Sequence, residues 1–192
     1  AGLVNKNKIL LMPNLKNIKN FSIKFNSKNI KIENDIKAAA LSQIYINKQK
    51  NLNYENFLVI GVGTGVGLGI VINKKLYRGS SNMAGEIGHW VWNKKEFEKS
   101  IAGFNIKKFF LKNSKRMLKN FSLGLVNLIL LLDPQIIYIC GSVGKAYLSK
   151  KSYKSFIHNQ IKKYCFNKKL KIQKTFYPNP SLAGAMLLFC KK

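Results

Sequence analysis

A short apolar run, Phe57-Leu-Val-Ile60, that opens directly into Gly61-Val-Gly-Thr-Gly-Val-Gly-Leu-Gly69 restricts the possible folds more than any other stretch of the chain. The run suits a buried strand, and glycine at 61, 63, 65, 67 and 69 removes every other side chain beyond it. Backbone can then approach an anion closely. Successive N–H groups in such a turn form an anion-binding concavity, and the Thr64 hydroxyl adds a donor at its centre. Alternating glycine also fits a kinked hairpin with no ligand. Residues 68–72 read as a second strand where a dinucleotide-binding fingerprint would open a helix, so the Rossmann arrangement is disfavoured.

The chain is long enough, at 192 residues with 46% hydrophobic content, for one ordinary domain or two small lobes around real apolar cores. Its net charge of +27 would ordinarily suggest nucleic acid or an anionic membrane as partner. Only Arg78 and Arg116 are arginine among the 34 basic residues, and the lysines are spread along the whole length. Arginine is the side chain suited to bidentate recognition of bases and phosphates, so the expectation is no specific nucleic-acid partner. Cys140, Cys165 and Cys190 are odd in number and far apart, which fits neither a Cys-x-x-Cys zinc site nor a disulfide framework and points to a reducing cytoplasm. The most continuous apolar run is well short of the roughly 20 residues that span a bilayer, and no signal peptide is read at the start, so no membrane association is expected.

Short extended stretches at 9–12 and 29–32 are expected on either side of a turn at Pro13-Asn14. Asn34-Asp35 then precedes Ile36-Lys-Ala-Ala-Ala-Leu-Ser-Gln-Ile-Tyr45, a helix that either residue can cap, with a polar loop following over 47–55. Residues 57–92 read as an antiparallel meander turned at Asn73-Lys74. Apolar positions at three- and four-residue spacing over 106–132 predict one long helix or two broken ones, ended by Asp133-Pro134. A buried strand at 135–140 runs into the glycine turn Gly141-Ser-Val-Gly144. A basic amphipathic helix at 151–164, a strand at 170–176 and a last helix at 181–189 complete an α/β reading.

Four motifs in order carry a resemblance: Asn34-Asp35-Ile-Lys-Ala-Ala-Ala40, then Gly63-Thr-Gly-Val-Gly67 with Arg78-Gly79 and Ala84-Gly-Glu-Ile-Gly-His89, then Asp133-Pro134 through Gly141-Ser-Val-Gly144, and Leu182-Ala-Gly-Ala-Met186. Together they resemble the ROK family of bacterial sugar kinases and sugar-responsive regulators over nearly the whole chain. The resemblance implies an actin-like ATPase (ribonuclease H-like) fold of two lobes with the N-terminal lobe incomplete. Residues 1–36 would be the remainder of that lobe, 37–180 the larger C-terminal lobe and 181–192 a closing helix. It implies ATP-dependent phosphorylation of a hexose or N-acetylhexosamine, glucokinase-like or N-acetylmannosamine kinase-like, with ATP and Mg2+ as cofactors. A sugar-binding regulator and a non-catalytic remnant are the alternatives. A small-molecule sugar is the implied partner, and a homodimer is an assembly the resemblance allows.

Phosphoryl transfer to a hydroxyl needs a carboxylate within reach of the proton and donors that stabilise the transferring group. Asp35 is the candidate base, with helix capping as its plain alternative. By resemblance Asn34, Glu86 and His89 would hold the sugar, and Glu98 would join them if Phe97-Glu98-Lys-Ser-Ile-Ala-Gly103 matches the family's later glutamate stretch. Glu86 could instead be a turn residue, His89 structural and Glu98 a helix-start residue. Gly63, Thr64 and Gly65 would meet the transferring phosphate, and Gly141, Ser142 and Gly144 the nucleotide. Two departures stand out. The Cys-x-Cys-Gly-x-x-Gly-Cys segment that completes a zinc site around this histidine in the family is missing, so no structural zinc is expected. The upstream Asp-x-Gly-Gly-Thr phosphate motif is missing too, and with it part of the expected Mg-ATP clamp.

Overall fold

The computed structural model describes residues 3–5, 8–11, 19–22, 31–101, 106–166 and 170–189. Its centre is a five-stranded mixed sheet. Strand β4 (Phe57–Val62) pairs antiparallel with β5 (Val66–Ile72), which pairs with β6 (Lys75–Tyr77); on its other side β4 runs parallel to β9 (Ile136–Cys140), and β9 parallel to β10 (Lys171–Lys174). A separate antiparallel sheet holds β1 (Leu3–Asn5), β2 (Lys8–Leu11) and β3 (Lys19–Ser22). Between β6 and β9 lie a 3-10 turn at Ile87–His89, the small hairpin of β7 (Val91–Trp92) and β8 (Lys95–Glu96), the short helix α2 (Glu98–Ile101) and the 27-residue helix α3 (Ile106–Leu132).

Alternation along the central strands sorts side chains into two cores. Leu58, Ile60 and Val62 of β4 with Ile137 and Ile139 of β9 pack with Met117, Phe121, Leu125 and Leu128 of α3. Phe57 and Val59 with Ile136, Tyr138 and Cys140 face the opposite way, against Ile36, Ala39 and Ala40 of α1 (Asp35–Gln49). Helices therefore cover both faces of the sheet, and the middle strands β4 and β9 read as near-continuous apolar runs. Helix α5 (Lys151–Tyr164) joins the first core through Ile157 and Ile161, and α6 (Pro180–Leu187) packs on α1.

Most expected elements are present, and the differences have local causes. The helix at α1 continues to Gln49, into the stretch read as loop, because Asn47 is buried and accepts a 2.7 Å bond from the Tyr138 hydroxyl. Its alanine-rich face is what permits that approach. The 106–132 pattern is one unbroken helix, and the turn at Asn73-Lys74 has both residues at positive φ, 52° and 61°, as a tight hairpin needs. Of the expected strand at 29–32, Asn29 and Ile30 lie outside the described residues, and Lys31 and Ile32 are in no strand. Met12, Pro13-Asn14, Gly103 and Cys190 also lie outside them. Strands β1 and β3 escape a pattern reading because β1 is only three residues long and Phe21 is the one apolar residue of β3. The glycine turn after β9 is a short helix, α4 (Ser142–Tyr147), with buried Val143 and Tyr147.

Candidate functional site

The first wall of the site is the start of α1. Asn34 has extended backbone, and its Oδ1 accepts from the N–H groups of Ile36 at 3.0 Å and Lys37 at 3.3 Å, a helix N-cap. Asp35, the first helical residue, leaves its carboxylate exposed and accepts from Ile36 N at 2.9 Å. The positive end of the helix favours that charge. What seats this helix start on the sheet is the glycine run. A Cβ at Gly61 would stand 2.9 Å from Ile36 Cδ1, one at Gly67 3.0 Å from Ile36 Cγ2, and one at Gly69 2.6 Å from Ala40 Cβ. These three glycines form a slot for α1. Gly63, by contrast, has open space where a Cβ would be, and Thr64 beside it is exposed. The run that reads as one anion loop is therefore a packing surface at its ends and open at its tip.

The second wall is the segment from Arg78 to His89. Gly85, at φ +91°, lies against β5 so closely that a Cβ would stand 1.9 Å from the Leu68 carbonyl oxygen, and its own carbonyl accepts from Leu68 N at 2.9 Å. Glu86 is fixed as a consequence. Burial pushes its carboxyl above the usual range, Lys37 and then His89 oppose the rise, and Asp35 adds to it. His89 ends the 3-10 turn, and its Nδ1 lies 3.1 Å from Glu96 Oε1. Hydrogen bonds from Lys99 and His89 hold the Glu96 carboxyl below its ordinary value. Glu98, first residue of α2, accepts from Val66 N at 3.4 Å through Oε2.

Between these walls lies a cavity of about 670 Å³ lined by Asn34, Asp35, Gly63, Thr64, Gly65, Glu86, His89, Glu98, Gly141 and Ser142. Residues from five separate stretches of chain thus converge. Gly144 is not at the cavity: it is buried within α4, where a Cβ would stand 2.7 Å from Ile139 Cγ2, so the structure gives it a packing place. The sequence reading missed Lys145, whose Nζ donates to the Pro178 carbonyl at 2.9 Å beside Asn179 and Ser181 on the same cavity. It also missed Glu33 and Lys37. Glu33 accepts from Asn34 N at 3.1 Å and pairs with Arg78, while Lys37 donates to the Asn82 carbonyl. A lysine set between Ile36 and three alanines was the available signal.

The cavity presents carboxylates and an amide on one side and bare backbone with hydroxyls on the other. Such a site can hold a polyhydroxylated ligand beside an anion, with an exposed carboxylate able to take a proton from a hydroxyl. The tip glycines, with room for an approaching group, fit a nucleotide's phosphates. Among the described residues no three His, Cys, Asp or Glu side chains come together to hold a metal, and Cys140 and Cys165 are buried.

Comparison with known proteins extends this picture. A xylose repressor from Bacillus spizizenii is 39% identical over 94 residues, which cover 46% of this chain and 24% of the repressor. An N-acetylmannosamine kinase from Vibrio vulnificus is 43% identical over 68 residues, 35% of this chain and 23% of the kinase. The matched segments thus span about a quarter of each relative's length. Among solved structures, a ROK family glucokinase from Streptomyces griseus in complex with glucose and AMPPNP superposes with a TM-score of 0.80 at 18% identity, covering 98% of this chain and 78% of that one. A likeness of that kind speaks for the fold, which is the actin-like ATPase fold. The profile of the ROK family matches residues 1–105, more than half of the sequence, and the chain belongs to that family.

Proposed function

We propose that this chain carries the sugar and phosphate sites of an ATP-dependent kinase acting on a hexose or N-acetylhexosamine. One observation carries the reading: Asp35 shares a single cavity with Asn34, Glu86, His89 and Glu98 and with the open tip of the glycine hairpin. In this reading Asn34, Glu86, His89 and Glu98 orient the sugar hydroxyls, and Asp35 accepts the proton of the attacking one. ATP with Mg2+, when bound, supplies the phosphoryl group. The Thr64 hydroxyl and the open backbone at Gly63 and Gly65, where the Gly63 N–H itself donates to the Gly65 carbonyl at 3.0 Å, meet the charge on the transferred group, with Gly141 and Ser142 toward the nucleotide. The same reading keeps residues 1–36, 37–180 and 181–192 as the remainder of one lobe, the larger lobe and a closing helix. It also keeps a cytoplasmic setting, an allowed homodimer and no specific nucleic-acid partner. Among the described residues no helix is long and apolar enough to cross a membrane.

The test is incubation of the protein with ATP and a panel of hexoses and N-acetylhexosamines, with ADP and phosphosugar quantified by mass spectrometry. Sugar-dependent ADP release with a matching phosphosugar is the expected result. A second reading, a sugar-responsive regulator, is favoured by the similarity to xylose repressors. Sugar binding without turnover, together with selection of one sequence from random duplexes near 0.15 M salt, would replace the first reading with the second.

A further inference from the structure

Lys37 is a charged residue inside the fold. It sits in the first turn of α1 with 2% of its surface exposed, two positions beyond Asp35. A lysine so buried requires a partner for its ammonium, because desolvating an unpaired cation is costly. Its Nζ donates to the carbonyl of Asn82, in the loop that runs from Arg78 to Glu86. Asn82 itself stands at positive φ, 62°, which turns the loop at that point. Arg78, at the start of the same loop, pairs with Glu33, and Glu33 in turn accepts from Asn34 N. Two links thus join the stretch carrying Asn34 and Asp35 to the loop carrying Glu86. Among the groups acting on Glu86, Lys37 opposes its rise in pKa more strongly than His89 does.

We propose that Lys37 is a positioning residue of the sugar site: it pins the loop over residues 79–86 to the first turn of α1 and so sets how Glu86 stands relative to Asp35. The assignment of those two carboxylates to sugar binding and proton transfer rests on the kinase reading above; the pinning does not. Lys37 lies outside the cavity lining, so it acts through Glu86 and touches no substrate. Burial lowers the Lys37 ammonium's pKa from its ordinary value, Glu86 and Glu33 oppose that, and Arg78 adds to it. Removing the cation therefore changes both the loop's anchor and the charge that Glu86 faces.

The experiment compares the parent with Lys37→Met, which keeps the buried stem and loses the donor, and Lys37→Gln, which restores a neutral donor. Backbone hydrogen exchange of the ligand-free proteins is read over residues 79–86, with the β4 and β9 peptides as the internal reference for the global fold. The expected result is exchange over 79–86 faster by about tenfold in Lys37→Met and by less in Lys37→Gln, with the reference strands unchanged. Equal exchange over 79–86 in parent and Lys37→Met would overturn the proposal. If Lys37→Met does not fold, the comparison is made with Lys37→Gln, and unchanged exchange there overturns it equally. In the active protein, Lys37→Met should raise the sugar KM about tenfold and leave the ATP KM within about twofold. A parent with no sugar-dependent turnover would sink the kinase reading while the exchange result still decides the role of Lys37.

Discussion

Gly184 of α6 and Ala38 of α1 touch backbone to backbone: a Cβ at 184 would stand 1.6 Å from the Ala38 carbonyl oxygen. No rotamer change relieves such a contact, since the obstacle is main chain. Helix α6 sits this close to α1 because Gly184, buried at the contact, carries no side chain to hold it off the Ala38 backbone. Gly184→Ala must push the two helices apart. The expected cost is about 1–3 kcal/mol or more, the range for overpacked sites. Chemical denaturation checks it, and an unchanged midpoint would contradict the close packing.

The glycine run supplies a second contrast. Gly69→Ala drives a methyl to 2.6 Å from Ala40 Cβ, so a stability loss of about 1–3 kcal/mol is expected. Gly63→Ala meets nothing within 4 Å and should change stability by less than about 0.5 kcal/mol. Its effect belongs to the ligand, as a weaker nucleotide affinity by isothermal titration. Equal stability losses at both positions would erase the distinction between packing ends and ligand tip.

Asp35→Asn and Glu86→Gln should separate chemistry from binding. Under the kinase reading, Asp35→Asn lowers kcat by about 10²–10⁴, the usual worth of a positioned base, and leaves sugar affinity nearly intact. Glu86→Gln keeps the base and loses a charged acceptor for a sugar hydroxyl, so KM rises more than kcat falls. Steady-state kinetics on whichever sugar the panel identifies reads both. Comparable kcat in parent and Asp35→Asn would remove Asp35 from the mechanism.

Cys140 offers a pH test that needs no substrate. Burial, with a further contribution from Asp35, pushes its thiol from 9.0 to about 11. At pH 8 the folded protein then holds about one thiolate in a thousand at this site, against about one in ten in the unfolded chain. Alkylation by iodoacetamide should accordingly be slower by about a hundredfold when folded, as peptide mapping of the modified cysteine can show. The linked stability has a definite sign. A raised folded-state pKa means the contribution is whole below pH 9 and is lost as pH rises through about 11. Rapid labelling of native Cys140 at pH 8 would count against the burial.

Reading the sequence located elements wherever local signals agreed with the final packing. Residues 151–164 show why, since their helical spacing of Ile157 and Ile161 is what the first core uses. The end of α1 was hidden because Asn47 reads as a loop residue until Tyr138, far away in sequence, supplies its partner. Asn34 and Asp35 were legible because a capping amide and a helix-start carboxylate announce themselves locally, and both reach the cavity. Gly144 and Lys37 were not, for opposite reasons. A glycine looks the same whether it faces a ligand or a neighbouring Ile139, and a lysine reads as surface until its burial is seen.

The parallel pairing of β4 with β9, in which Gly61 stands opposite Cys140, has a consequence for variation in length. Both strands end at the same edge of the sheet, so the glycine tip and the Gly141-Ser142 turn emerge side by side however much chain is threaded between them. Hydrogen bonds across the ladder set their spacing, and the intervening hairpin and helices only have to return. The stretch between α2 and α3 can therefore shrink or grow while the two loops keep their separation. Change in that part of the protein is insulated from the cavity by strand register.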